Sequence, residues 1–181
     1  MVKFLRKLFA IDGKLCSGAS IDDLYLTYKE QCQVAQQNPD NGLLRYRGNP
    51  GTHDIPLLCR TLDEIRLLNT PGAPDVVDVV QYDKTCHSGR GDRSPPQASE
   101  KILNGLDVFL LEGWCLGFMP ERGGTSFVDS NLTDISRHLE EFCSLYSRLD
   151  GMLVIEVDNL NCVYEWRAQP EREAINAGKP G

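Results

Sequence analysis

Short apolar runs closed by a polar or acidic residue alternate along this chain with stretches whose apolar positions recur every three or four residues. Residues 108–111, VFLL, have the composition of a strand buried on both faces, as in the interior of a parallel sheet, and they end at Glu112 and Gly113. Residues 76–80 and 152–157 read the same way, the second closed by Asp158. Residues 19–21 read as the last part of a strand that ends at Asp22. Between these runs, Leu58, Leu62, Ile65 and Leu68 make a stripe at helical spacing, with Asp54 placed to cap it. Ile135, Leu139, Phe142, Tyr146 and Leu149 give the strongest helical period, and residues 27–37 predict a polar surface helix. Residues 163–176 are helical in composition but are interrupted by Pro170. Strands alternating with helices predict an α/β fold with a largely parallel sheet.

Two long polar stretches break the alternation. Residues 38–54 are rich in Asn, Pro, Gly and Asp and carry Arg45 and Arg47. Residues 82–97 are dense in glycine, charge and proline, and loops of that length without structure of their own are usually functional or disordered. Arg90-Gly91-Asp92 within it spells the adhesion tripeptide, which short sequences reach by chance. Cys86 beside His87 is a poor zinc site without a second ligand pair.

Composition narrows the classes. A chain of 181 residues supports one sizeable core. A net charge of −7 argues against a general nucleic-acid binder, while local cations leave an anionic small substrate open. No apolar run approaches the ~20 residues that span a bilayer. Seven cysteines, an odd number without a CxxC pair, suit reduced thiols in an intracellular compartment. The basic, faintly amphipathic start, MVKFLRKLFA, is too short and too poor in serine for a transit peptide.

Chemistry enters at the strand ends. Open α/β sheets place ligands at the carboxyl ends of their strands, and here two such ends carry acids, Asp22 and Glu112. With the cations of the two polar loops, they predict magnesium-assisted phosphoryl transfer: one carboxylate toward a hydroxyl, one toward the metal, cations toward anionic groups. The plainer reading of Glu112 is a buried strand whose last residue meets solvent, and that of Asp22 is a helix cap. Arg90 and Arg93 are either anion ligands or solvated loop charges, and Trp114 is expected to pack beneath the site.

These motifs, in order, are SIDDLY (20–25), RGNPGTHD (47–54), YDK (82–84), GRGDR (89–93), LLEGWCLGF (110–118), YEWRAQ (164–169) and the terminal GKPG. Together they resemble the D-glycerate 3-kinases of plants, cyanobacteria and fungi, a branch of the P-loop kinases related to uridine kinase, phosphoribulokinase and pantothenate kinase. The resemblance implies a three-layer α-β-α, P-loop NTPase-like fold over residues 19–181, after a divergent segment 1–18. It implies that loops 38–54 and 82–97 bind the acceptor and that residues 163–181 form part of a lid. Asp22 would act as base or lie near Mg²⁺, Asp23 could share either task, and Glu112 would be the metal-side acid. Tyr25, His53, Asp54, Tyr82, Asp83, Lys84, Arg90 and Arg93 would line the acceptor site, and Arg167 would close over the transferring phosphate.

The implied reaction is ATP-dependent phosphorylation of D-glycerate to 3-phosphoglycerate, the closing step of photorespiration where that pathway exists. A small-molecule substrate is expected, with no nucleic acid and no membrane, on a monomer in the cytoplasm, or in the chloroplast of a photosynthetic organism. One departure stands out: nothing fits the phosphate loop G-x-x-x-x-G-K-[ST], since Gly13-Lys14 is followed by Leu15 without a glycine at the required offset. The chain reads as the middle of a kinase with its first strand, phosphate loop and final helices missing, and is expected to be inactive alone. A related small-molecule kinase and a non-catalytic fragment are the alternatives.

Overall fold

The computed structural model describes residues 2–123, 127–159 and 161–176. The chain divides into two compact units, Met1–Asp150 and Gly151–Gly181. In the first, α1 (Val2–Ile11) precedes β1 (Cys16–Ser20), which opens inside the segment 1–18 that the sequence sets apart. There follow α2 (Tyr28–Gln37), α3 (Ile55–Leu67), β2 (Val76–Val79), β3 (Tyr82–Asp83), β4 (Asp92–Arg93), β5 (Glu100–Leu103), β6 (Val108–Glu112) and α4 (Leu132–Tyr146). The second unit contains α5 (Cys162–Asn176).

β1 and β6 pair in parallel, with Cys16 facing Val108 and Ser20 facing Glu112. β2 pairs antiparallel with β5, and β3 antiparallel with β4. Gly113, just past β6, is required by space: a Cβ there would meet Ile21 Cγ2 at 2.4 Å. α3 and α4 cover the strands. Leu58 and Leu62 of α3 join Ile21, Leu24, Leu139, Phe142 and Leu145 in one apolar cluster, while Ile65 and Leu68 join Ala19, Val77, Val79 and Ile102 in a second. The helix begins where the sequence predicts, with the Asp54 carboxylate accepting the Leu57 amide at 2.9 Å. α2 is closed by a capping box in which Thr27 and Glu30 bond each other's backbone amides.

Several expectations are corrected. Residues 76–79 form a strand, but one that alternates, with Val77 and Val79 buried and Asp78 exposed, and it runs antiparallel. β6 is half-buried rather than buried on both faces, because among the described residues β1 is its single ladder partner. Residues 152–157 form no strand, and Met152, Leu153, Val154 and Ile155 are 51% to 76% exposed. An apolar run becomes a strand only where a neighbour accepts its amides and carbonyls, and no ladder reaches this one among the described residues.

Residues 82–97 are more ordered than a bare loop, holding the β3–β4 hairpin and a 3₁₀ turn at Pro96–Ala98. α5 runs through Pro170 instead of stopping there. The Gln169–Glu173 hydrogen bond at 2.8 Å and the Arg172–Glu165 ion pair at 3.4 Å span the proline on the exposed surface. All seven cysteines are free, and no described helix is long and apolar enough to cross a membrane.

Candidate active site

Asp22 sits in the 3₁₀ turn Ile21–Leu24 directly after β1, its amide bonded at 3.2 Å to the Ser20 hydroxyl. Since Ser20 faces Glu112 across the parallel ladder, the two predicted acids lie at the same end of adjacent strands. The Asp22 carboxylate accepts the Tyr25 hydroxyl at 2.7 Å on one oxygen and the Lys84 ammonium at 2.7 Å on the other. Burial pushes this carboxyl up, but the bonds from Lys84 and Tyr25 outweigh it and hold it below the usual carboxylate range. Its neighbour Asp23 goes the other way: burial raises it, only partly offset by backbone amides such as that of Tyr82, which reaches it at 3.4 Å. The two adjacent carboxyls are thus shifted in opposite directions, Asp22 toward the ionised form and Asp23 toward the protonated one.

Behind Asp22 stands an aromatic stack. Tyr25 is buried, with its ring 4.5 Å from that of His53 and edge-on to Tyr82 at 5.3 Å. Burial and the nearby Asp22 charge raise the Tyr25 phenol, so it remains a donor. His53 is 4% exposed and neither ring nitrogen has a hydrogen-bond partner, so burial pushes its pKa down to about 4. The imidazole is therefore neutral at physiological pH.

The hairpin of residues 82–97 reaches the site through Lys84. Asp83 is turned inward to its own loop, accepting the Thr85 amide at 2.8 Å and hydroxyl at 2.6 Å. Arg93 donates to the Tyr25 carbonyl at 3.1 Å and to Asp54 at 3.0 Å, tying the hairpin to the start of α3. Arg90 lies over the rings of Tyr28 and Tyr46, at 5.4 and 5.3 Å, and donates to the Arg45 carbonyl at 3.4 Å. Tyr82 is buried with its hydroxyl unpartnered.

Asp92 of the adhesion-like tripeptide accepts the Tyr28 amide at 3.0 Å and pairs with His87 at 3.1 Å, so it belongs to the hairpin's own framework. His87 stacks on Tyr28 at 3.8 Å, and no cluster of three metal-ligating side chains occurs among the described residues. Glu112 is exposed and has no hydrogen-bond partner among the described residues. The side chain of Arg167 and the terminal GKPG lie outside the described residues.

Trp114 departs from its expected place beneath the site. It is 56% exposed, donates to the Gly48 carbonyl at 3.1 Å and meets Phe118 edge-on, because the next residue, Cys115, takes the buried position. Sequence reasoning noted Arg47 only as a loop cation and passed over Tyr28; in the structure Arg47 bonds the carbonyls of Gly89 and Arg90, and Tyr28 donates its amide to Asp92 and stacks on His87.

No protein-family profile matches the chain. Its sequence is 35% identical over 183 residues to the chloroplastic D-glycerate 3-kinase of Arabidopsis thaliana, across 100% of this chain and 40% of that protein. Its structure superposes on the D-glycerate 3-kinase of Cryptococcus neoformans with a TM-score of 0.84 and 30% identity, covering 99% of this chain and 66% of that one. The chain is a relative of the D-glycerate 3-kinases. It is also 39% identical over 165 residues to the probable ATP-dependent kinase TDA10 of Saccharomyces cerevisiae, covering 87% of this chain and 56% of that protein. The fold of this D-glycerate 3-kinase relative is thus the α/β fold of the P-loop kinases expected from its sequence. It spans 40% to 57% of the length of the curated relatives it matches.

Proposed function

We propose that this relative belongs to an ATP-dependent phosphorylation of D-glycerate at its 3-hydroxyl. The observation that supports this most is the parallel register of β1 and β6, in which Ser20 faces Glu112 and Asp22 follows two residues later. In this reading Asp22 accepts the hydrogen bond of the acceptor hydroxyl and aims its oxygen at the phosphoryl group. A carboxylate held below its ordinary pKa is a weak base, which suffices where phosphoryl transfer is loose and gains more from orientation than from early proton removal. A carboxylate has about four acceptor sites, so Asp22 can take this bond beside those from Tyr25 and Lys84.

Lys84, the nearest cation, would balance charge at the acceptor. Tyr25 fixes the Asp22 carboxylate, and His53 and Tyr82 support Tyr25 from behind. Asp54 and Arg93 set the distance between the loops of residues 38–54 and 82–97, which form the acceptor side. Asp22 and the exposed Glu112 are hard oxygen donors of the kind Mg²⁺ takes, and a pair of acids with no third ligand among the described residues suits an ion that completes its shell with water and phosphate. When bound, the ion would neutralise phosphate charge.

The acceptor rests on likeness to the plant and fungal D-glycerate 3-kinases, and a related small-molecule acceptor is the second reading, favoured by 39% identity to a yeast kinase whose name gives none. Seven free thiols support a reducing, intracellular compartment, cytoplasm or chloroplast, and we propose a monomer. The test uses a chimera of these residues with the phosphate loop of the Arabidopsis relative. D-Glycerate should be converted to 3-phosphoglycerate, and Glu112→Gln should lower kcat by about a thousandfold with the fold intact. Equal turnover of unrelated hydroxy acids, or an unchanged kcat in the variant, would sink the proposal.

A further inference from the structure

The two acceptor-side loops meet through Arg47, a side chain to which the motifs assign no role. Its Nη1 donates to the carbonyl of Gly89 at 2.7 Å and to that of Arg90, so the loop of residues 38–54 grips the tip of the loop of residues 82–97. That tip needs gripping. His87 and Ser88 hold φ of 50° and 57°, left-handed values that side-chain-bearing residues rarely adopt, and Gly89 and Gly91 follow at 85° and 79°. Gly91 is packed so closely that a Cβ would meet the Tyr82 ring at 2.4 Å and Arg47 Nη1 at 3.1 Å.

The two arginines of the loop of residues 82–97 are each held through Nη2, and their Nε atoms are buried without a partner. Arg90 is held over Tyr28 and Tyr46, and Arg93 by Asp54 and the Tyr25 carbonyl. Arg47 keeps Nε and Nη2 without a hydrogen bond among the described residues, and these two nitrogens form one edge of the guanidinium, the fork that matches a carboxylate. The guanidinium lies 5.7 Å over the Tyr82 ring, and its charge opposes the burial-driven rise of both the Tyr25 and the Tyr82 hydroxyls. The Tyr82 ring is in turn edge-on at 5.3 Å to Tyr25, the tyrosine that bonds Asp22.

We infer that Arg47 has two tasks: its Nη1 clamps the hairpin tip, and its free edge meets the carboxylate of the acceptor, in place of Arg90 and Arg93. The first task stands on geometry alone, and the second rests on the proposed acceptor.

The experiment compares the 181-residue chain with Arg47→Met and Arg47→Lys, the second keeping the charge but not the fork. Amide exchange is followed at Gly91 and Arg90, whose amides bond the carbonyls of Cys86 at 2.8 Å and His87 at 3.3 Å. D-Glycerate affinity is measured by calorimetry on the same samples. Both variants should exchange at least about tenfold faster at these amides, and both should bind D-glycerate at least about tenfold more weakly, as the loss of a charge-assisted hydrogen bond implies. Unchanged exchange in both variants would overturn the clamp. Unchanged affinity in both, with binding lost instead in Arg90→Met, would overturn the acceptor contact. A wild-type chain that binds no D-glycerate, while both variants loosen the tip, would remove the proposed acceptor and keep the clamp.

Discussion

A neutral imidazole shut away from water makes His53 a test of what the site's residues do. Its pKa, ordinarily near 6.5, is pushed by burial to about 4, so the unfolded chain binds a proton there that the folded chain refuses. Stability from this group is complete above pH 6.5 and falls as pH drops toward 4, by about 3 kcal/mol at most. Asp23, raised by burial, works in the opposite direction, so the two must be separated by difference. His53→Phe keeps the stack on Tyr25 and removes two unpartnered ring nitrogens; urea midpoints from pH 7 to 4 should show a flatter slope and near-unchanged stability at pH 7. Loss of D-glycerate binding in this variant at unchanged stability would restore the direct contact that the motif suggests. Lys84→Met should in turn raise the Asp22 carboxyl, since burial would then be opposed by Tyr25 with no ammonium beside it. Carboxyl carbon shifts followed by NMR would read it, and an unmoved titration would show that Lys84 is not the controlling partner. Asp22 and Glu112 were legible in the sequence because a strand end is a local feature. The partners of the loop arginines were not, since Arg93 finds Asp54 39 residues away and the Tyr25 carbonyl 68 residues away.

At the scale of elements, the start of α3 carries more than a helix cap. Asp54 satisfies the Leu57 amide and also holds Arg93, and both side chains of that ion pair are about one-fifth exposed. Asp54→Ala should therefore cost more than the ~1 kcal/mol of an ordinary cap, on the order of 2–3 kcal/mol, because it strands a mostly buried guanidinium. A double-mutant cycle with Arg93→Met, read by urea unfolding, should give a coupling of about 1 kcal/mol or more. Zero coupling would return Arg93 to the role of a free anion ligand. α3 and α4 were legible because each carries a repeated apolar stripe, and α2 because of its polar helix formers; β3, β4 and β5 were not. β5 spans four residues and buries only Ile102, too little for an alternation to appear. In β2 the exposed Asp78 between Val77 and Val79 was the available sign of a half-buried strand.

For the whole molecule, residues 152–157 show the limit of composition most clearly. They are as apolar as β6, yet β6 is a strand and they are not, because β6 has β1 beside it. Pairing is a property of neighbours, and the sequence of one segment does not contain it. The same reasoning sets an expectation for turnover. No stretch of the 181 residues matches the phosphate loop that cradles the β and γ phosphates, and phosphoryl transfer depends almost wholly on such positioning. The 181-residue chain alone should form 3-phosphoglycerate below detection, while the chimera with the loop supplied should form it readily. Comparable rates would mean that another segment holds the nucleotide.

The pairing of Ser20 with Glu112 also constrains how such a sequence can change length. Side chains alternate along a strand, so deleting one residue from β1 or β6 would turn the acid at its end toward the opposite face. Insertions in residues 38–54 or 82–97 carry no such penalty on the ladder and alter only the reach of the grip between them. Drift in chain length should therefore collect in the loops and reshape which acceptor fits, while the distance between Asp22 and Glu112 stays fixed by counting residues along two strands.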